Sequence, residues 1–321
     1  MTNFQLNTAV LFIVFNRPDT TVRVLDAIRQ ARPPRLYIAS DGPRPERPGD
    51  AGLVSEVRKL FNEIDWPCDV IKLFRKNNLG CKYAASKAIT WFFENEKEGI
   101  ILEDDCLPHP DFFGYCEELL IRYSNNQRIS MISGVNFNNI KIAETYYFSR
   151  HAHVWGWATW RRAWQKNDLE LSFWNSWKET AHWKHFLGDR VATRYWTKVF
   201  DSMRGEGIDT WDYQWQASMW YHDMLAINPS SNLIKNIGFG ENATHTKRED
   251  EILSNRQTYA IGPIVHPLSI TINHKIERYE FDYIYLGINR RWPRIIIYLP
   301  LLALKRMRCR ISKLFDSFNF G

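Results

Sequence analysis

Gly99-Ile-Ile-Leu-Glu-Asp-Asp-Cys-Leu-Pro108 decides how this chain is read. A short apolar run ends abruptly in three adjacent carboxylates, Glu103, Asp104 and Asp105. An apolar run bounded in this way reads as a buried strand. Three like charges at its end repel one another unless a cation neutralises them. Carboxylate oxygens suit hard divalent ions such as Mn2+ or Mg2+, which can also hold phosphates. The plainer alternative is a solvated strand end whose acids precede a helix starting near Pro110 and Asp111.

The flanking sequence alternates regularly. Thr8–Phe15, Arg35–Ser40, Cys68–Phe74 and Ile129–Ser133 read as further strands. Pro18–Ala31, Ala51–Ile64, Cys81–Glu94 and Asp111–Tyr123 read as helices between them. Strands alternating with helices of this length imply right-handed βαβ units, hence an α/β fold on a mostly parallel sheet flanked by helices. Ligands of such sheets bind beyond the carboxyl ends of the strands. That places Arg17, Asp41 and Glu103–Asp105 at one address, where Arg suits phosphate, Asp a base or ribose, and the acids a metal. Arg17 could equally lead into the first helix, and Asp41-Gly42 could be a turn with no ligand. Neither G-x-G-x-x-G after the first strand nor G-x-x-x-x-G-K-[ST] occurs, which weakens the dinucleotide and P-loop readings.

With 321 residues, 14 of them Trp, the composition is that of a globular protein able to bury a full core. No segment reaches the roughly 20 apolar residues of a membrane span. Residues 8–15 lack the flanks of a secretory signal, and five cysteines without zinc-type spacing read as reduced thiols, so a cytoplasmic protein is expected. Eight basic residues and no acidic ones lie between Arg290 and Lys313. Setting those eight aside leaves 34 basic residues against 36 acidic ones, which argues against a nucleic-acid binder.

From about Gly134 the alternation fades and tryptophan accumulates. Trp211, Trp215 and Met219 recur at helical spacing, so a helix burying an aromatic stripe is expected, with Thr210 as its N-cap and Asp212 in its first turn. Most of the tryptophans read as core, while Trp155 and Trp157 are candidates to stack on the flat face of a ligand. His245 sits in a Gly-containing loop that could close over a ligand and offer a second metal or phosphate contact, although a surface His is the commoner case.

Taken in order, Val14-Phe-Asn-Arg-Pro18, Ala39-Ser-Asp-Gly42, Leu102-Glu-Asp-Asp105 with Pro110-Asp-Phe-Phe113, Gly156-Trp157 and Trp211-Asp212 resemble a GT-A glycosyltransferase. Within that fold the chain is similar to the N-acetylglucosaminyltransferase I type and to related bacterial sugar transferases, over roughly residues 8–245. The resemblance implies inverting, metal-dependent transfer from a nucleoside diphosphate sugar, with a UDP-sugar expected, to an acceptor hydroxyl. It implies Arg17 on the diphosphate, Asp41 on the base or ribose, Glu103 and Asp104 on the ribose and sugar side, Asp105 on Mn2+ or Mg2+, and Asp212 as catalytic base. Two departures stand out: Tyr213 follows Asp212 where the prototype has a second acid, and Gly134–Arg150 aligns poorly.

The expected organisation is a glycosyltransferase domain over 1–260, with a nucleotide-binding half (1–133) and an acceptor half (134–260), and a C-terminal extension over 261–321. In that extension Ile295–Leu304 is apolar and flanked by Arg and Lys. Too short to span, it suits a membrane interface, each basic residue contributing about 1 kcal/mol near anionic lipid. A lipid-linked glycan acceptor and a peripheral position on the cytoplasmic face would follow; a helix packed on the body is the alternative. Two rival functions remain: a sugar nucleotidyltransferase, which usually wants a glycine-rich loop after the first strand, and a non-catalytic glycan-binding protein.

Overall fold

The computed structural model describes residues 5–204, 208–238 and 256–297. The chain runs β1 (Val10–Val14), α1 (Pro18–Ala31), β2 (Arg35–Ser40), α2 (Asp50–Lys59), β3 (Asp69–Phe74), α3 (Gly80–Asn95) and β4 (Glu98–Glu103). β5 (Cys106–Pro108), α4 (Asp111–Arg122), β6 (Ile129–Ser133), β7 (Tyr146–Ser149) and β8 (Trp157–Trp160) follow. Next come α5 (Arg161–Trp164), α6 (Trp174–Trp177), α7 (Ala181–Phe186), α8 (Arg190–Ser202) and α9 (Asp212–Tyr221). The described chain continues through β9 (Leu225–Pro229), β10 (Ile234–Asn236) and α10 (His274–Tyr283).

Eight strands form one sheet in the order β3-β2-β1-β4-β8-β6-β9-β7. β1 is parallel to both β2 and β4, β2 to β3, and β6 to β9. β8 runs antiparallel to β4 and β6, and β7 antiparallel to β9. The fold is thus α/β on a mostly parallel sheet, as the alternation predicts. The chain leaves β1 toward β2 and β3 on one side and returns to pair β4 on the other. That reversal opens a crevice at the carboxyl ends of β1 and β4.

Side chains along β1 alternate between two cores. Val10, Phe12 and Val14 pack with Leu25 and Ile28 of α1, Val57 of α2 and Leu119 of α4. Ala9 and Leu11 face Ala88, Ile89 and Phe92 of α3 and the tryptophans Trp174, Trp183, Trp196, Trp215 and Trp220. Cover on both faces is why these strands read as continuous apolar runs. α1 starts at Pro18, where a missing N–H costs nothing, and ends when Arg32 turns left-handed and donates to the Ile28 carbonyl. α9 buries Trp215, Met219 and Trp220 together with Gln214, Gln216 and Ser218, so it is enclosed almost all round. Its N-cap position is held by Trp211; Thr210, expected there, instead donates its hydroxyl to the Asp212 carboxylate.

Two expectations need correction. Trp157 cannot stack on a sugar in this fold. It lies on β8, between β4 and β6, is fully buried, and stacks on Trp211 at a ring distance of 5.7 Å. The boundary at 260/261 does not separate a body from an appended tail either. Ile272 bridges Phe148 of β7, and α10 drives Glu280 into the interior. There Glu280 accepts from Tyr147 Oη at 2.8 Å and meets His151 Nδ1 at 3.0 Å and His153 Nε2 at 3.4 Å. Burial alone would raise the Glu280 pKa, but the neighbouring His153 and His151 hold it below the usual carboxylate range. Glu277 pairs with Arg150 at 2.6 Å. Arg291 pairs with Asp282 at 2.7 Å and with Asp189, so part of the basic cluster is consumed inside the fold. No helix among the described residues is long and apolar enough to cross a membrane.

Candidate active site

A cavity of about 280 Å³ opens at the carboxyl ends of the first four strands. Phe15 and Arg17 follow β1, Asp41 follows β2, Arg75 follows β3, and Glu103, Asp104 and Asp105 end β4; all line it. The parallel register explains the convergence, since Val14 lies beside Ser40 and Ile13 beside Glu103. Residues far apart in sequence therefore leave the sheet at one level.

The acid triplet is met by Arg17. Its Nη1 stands 2.9 Å from Asp105 Oδ2 and 3.6 Å from Asp104 Oδ1, with all three side chains less than a fifth exposed. Asp104 Oδ2 also accepts from the Phe15 backbone N–H at 3.0 Å. One guanidinium does not offset three carboxyls. Burial, and then the neighbouring Asp105 and Asp104, push Glu103 well above its ordinary pKa; burial and Asp105 do the same to Asp104. The site is short of positive charge as it stands.

Asp41 adds a second signal. One carboxylate oxygen accepts from the Leu79 N–H at 2.8 Å, while Oδ1 is buried with no hydrogen-bond partner. Burial raises its pKa against the opposing backbone N–H of Leu79. Asp41 is among the residues lining the cavity, and a buried acceptor left without a partner carries a desolvation cost.

Asp209, which the sequence reading passed over, also lines the cavity. Its two oxygens accept from the Cys81 and Lys82 backbone N–H groups, both at 2.7 Å, and so cap α3 from 127 to 128 residues away. The Asp209-Thr-Trp-Asp212 string, with two acids three apart, was the available signal. Gly238 was missed as well: a Cβ there would lie 2.3 Å from Asp105 Oδ2, so only glycine lets the chain leaving β10 pass over the acids.

Each expected residue can now be placed. Arg17, Asp41, Glu103, Asp104, Asp105 and Trp155 stand together in the cavity wall, whereas Trp157 does not. Asp212 lies outside that wall but close enough for its charge to raise Glu103 and Cys81. His245 falls outside the described residues. Among those residues, no three His, Cys, Asp or Glu side chains are arranged to enclose a metal. Mg2+ and Mn2+, however, are commonly held by one or two carboxylates with phosphates and water completing the shell. An acid cluster in need of positive charge, in the wall of a cavity, fits that open arrangement.

The raised carboxyls give a stability prediction. Between about pH 5 and pH 8 the folded protein holds protons that the unfolded chain has already released, so stability falls as pH rises through that window. Glu103→Gln removes part of that fall. In chelator its melting temperature should exceed that of the wild type by about 2 °C or more at pH 8, with the gap closing near pH 5. A thermal-denaturation series across pH checks this; a gap that is absent or widest at low pH contradicts the charge assignment.

Compared with known proteins, no family model matches the chain and no curated protein does. Among solved structures, a mannosyltransferase from Pyrobaculum calidifontis in complex with GDP-Man and Mn2+ aligns with a TM-score of 0.36 and 11% identity, over 68% of this chain and 71% of that chain. TarS 1-349 of S. aureus aligns with a TM-score of 0.38 and 7% identity over 71% of this chain, which spans only 59% of that structure. A cytidylyltransferase from Leptospira borgpetersenii gives a TM-score of 0.32 and 11% identity, over 51% and 64% of the two chains. Likenesses this remote carry no assignment, and the functional reading rests on the pocket.

Proposed function

We propose that this chain is a divalent-metal-dependent, inverting glycosyltransferase of the GT-A kind, similar to the N-acetylglucosaminyltransferase I type. It moves a sugar from a nucleoside diphosphate sugar, with UDP-sugars the first choice, to a hydroxyl of a glycan or lipid-linked glycan. The observation that carries this reading is the gathering of Arg17, the buried unpaired oxygen of Asp41 and the acid triplet around one cavity at the sheet's chain reversal.

In this reading Asp41 accepts a hydrogen bond from the base or ribose. Glu103 and Asp104 line the ribose and sugar side, and Asp105 holds the metal. Mn2+ or Mg2+, when bound, supplies Lewis-acid stabilisation of the charge on the departing diphosphate. Arg17, beside Asp105 and Asp104, would offer its guanidinium to a phosphate oxygen of the donor. Asp212 takes the proton of the acceptor hydroxyl as its oxygen bonds to the anomeric carbon and the carbon–phosphate-oxygen bond breaks. Trp155, in the cavity lining, offers a ring to the sugar.

Release of nucleoside diphosphate from a panel of nucleotide sugars, with and without Mn2+, tests the reading. Metal-dependent release supports it. Pyrophosphate-forming activity with nucleoside triphosphates would favour the nucleotidyltransferase alternative, and glycan binding without turnover the non-catalytic one.

Trp292, Ile296 and Ile297 are exposed, and the five basic residues between Lys305 and Lys313 follow in sequence. They support a peripheral position on an anionic, cytoplasmic membrane face. The full chain should pellet with vesicles containing phosphatidylserine, and a chain ending at Ile297 should bind them several-fold less; equal binding contradicts the membrane role.

A further inference from the structure

A second cavity, of about 750 Å³, opens where β6 and β9 end, on the same edge of the sheet as the first. No described carboxylate lines it. Three buried amides fix its wall. Asn136 Nδ2 donates to the Ser230 carbonyl at 2.6 Å and its Oδ1 accepts from the Asn138 N–H at 2.8 Å. Asn138 Nδ2 donates to Tyr147 Oη at 2.9 Å, and Asn232 Oδ1 accepts from the Asn136 N–H at 3.2 Å. A wall locked in this way is preorganised, so little ordering cost accompanies binding.

Tyrosine rings supply the rest. Tyr259 is 63% exposed and Tyr283 45% exposed, and the Tyr283 ring sits 4.7 Å from that of Tyr279 on the preceding turn of α10. Asn139, Ser231 and Gln257 add amide and hydroxyl groups. Arg256 reaches into the wall instead, donating to the Asn136 carbonyl at 2.7 Å and to that of Phe137. Lys141 also lines the cavity but is exposed to water, so flat rings beside amides and hydroxyls, without carboxylates, match an uncharged sugar chain. Its C–H faces lie on aromatic rings, and its hydroxyls both donate and accept.

The two cavities are neighbours. Trp155 of the first wall packs on Phe137 at a ring distance of 5.3 Å, and Phe137 sits between Asn136 and Asn138 of the second. We infer that the second cavity is an oligosaccharide-binding groove, which holds the distal units of an uncharged acceptor glycan while its reacting end approaches the first cavity. The inference rests on the transferase reading for its role, but not for the binding itself.

Saturation-transfer NMR on the full chain, without donor, tests it directly, using chitohexaose, maltohexaose, cellohexaose and xylohexaose as probes. At least one hexaose should receive saturation. Tyr259→Ala and Tyr283→Ala, both at exposed positions, should each weaken that binding about tenfold, the size expected for one lost stacking contact. Their melting temperatures and nucleotide-sugar uptake should stay unchanged. No binding to any of the four, or binding untouched by both substitutions, overturns the groove. Hexaose binding in a protein that takes up no nucleotide sugar would keep the groove and remove the transferase reading; the converse pattern would do the reverse.

Discussion

In the proposed transferase, Asp212→Asn should lower sugar transfer by about 10²–10⁴-fold while nucleotide-sugar affinity stays within about twofold of the wild type. The amide keeps the shape of the carboxylate and still accepts the Thr210 hydroxyl bond, but it cannot take up a proton. Its place at the first turn of α9, outside the cavity wall, is what would separate the proposed chemical step from donor binding. Initial rates of transfer, with binding measured separately, check this. Near-normal rates would remove Asp212 from the base role. Asp209 is the less suitable substitute, because the Cys81 and Lys82 N–H groups already occupy both its oxygens.

Arg17→Ala destabilises the protein by roughly 3–5 kcal/mol near pH 8, since it leaves buried carboxylates without their cation. The guanidinium lies 2.9 Å from Asp105 and 3.6 Å from Asp104, and all three side chains are mostly withdrawn from water. Protons can replace it. Without Arg17, Glu103 and Asp104 titrate higher still, so the folded variant holds more protons than the wild type and loses stability more steeply as pH rises. The deficit should shrink toward pH 5. Chemical denaturation at two pH values measures it, and a pH-independent loss of under about 1 kcal/mol would show the ion pairs to be surface-like in effect.

The first half of the fold was legible because its signals are local. β1, β2 and β4 are apolar runs with cover on both faces, β3 is a more exposed edge strand, and each helix begins where the pattern changes. The residues after β1, β2 and β4 could therefore be assigned to one edge before their contacts were known. Trp157 was misread because β8 enters the sheet antiparallel between β4 and β6, and no local pattern encodes that insertion. Asp209 caps a helix more than 120 residues away, so its partners are invisible in its own neighbourhood. The basic tail invited a membrane reading, yet Arg291 is matched by Asp189 and Asp282, acids that composition alone cannot pair with it. The unpaired oxygen of Asp41 is likewise a fact of packing: Leu79 takes one oxygen and the buried wall isolates the other.

The central claim is that the acid triplet tolerates its crowding by sharing space with a dication and a diphosphate. Titration calorimetry of UDP- and GDP-sugars into the full chain, with and without Mn2+, and repeated on Asp105→Ala, tests it most directly. The account predicts Mn2+-dependent uptake of a nucleotide sugar that is lost, by about tenfold or more in affinity, in Asp105→Ala. Uptake that ignores both the metal and Asp105, or no uptake at all, would contradict it.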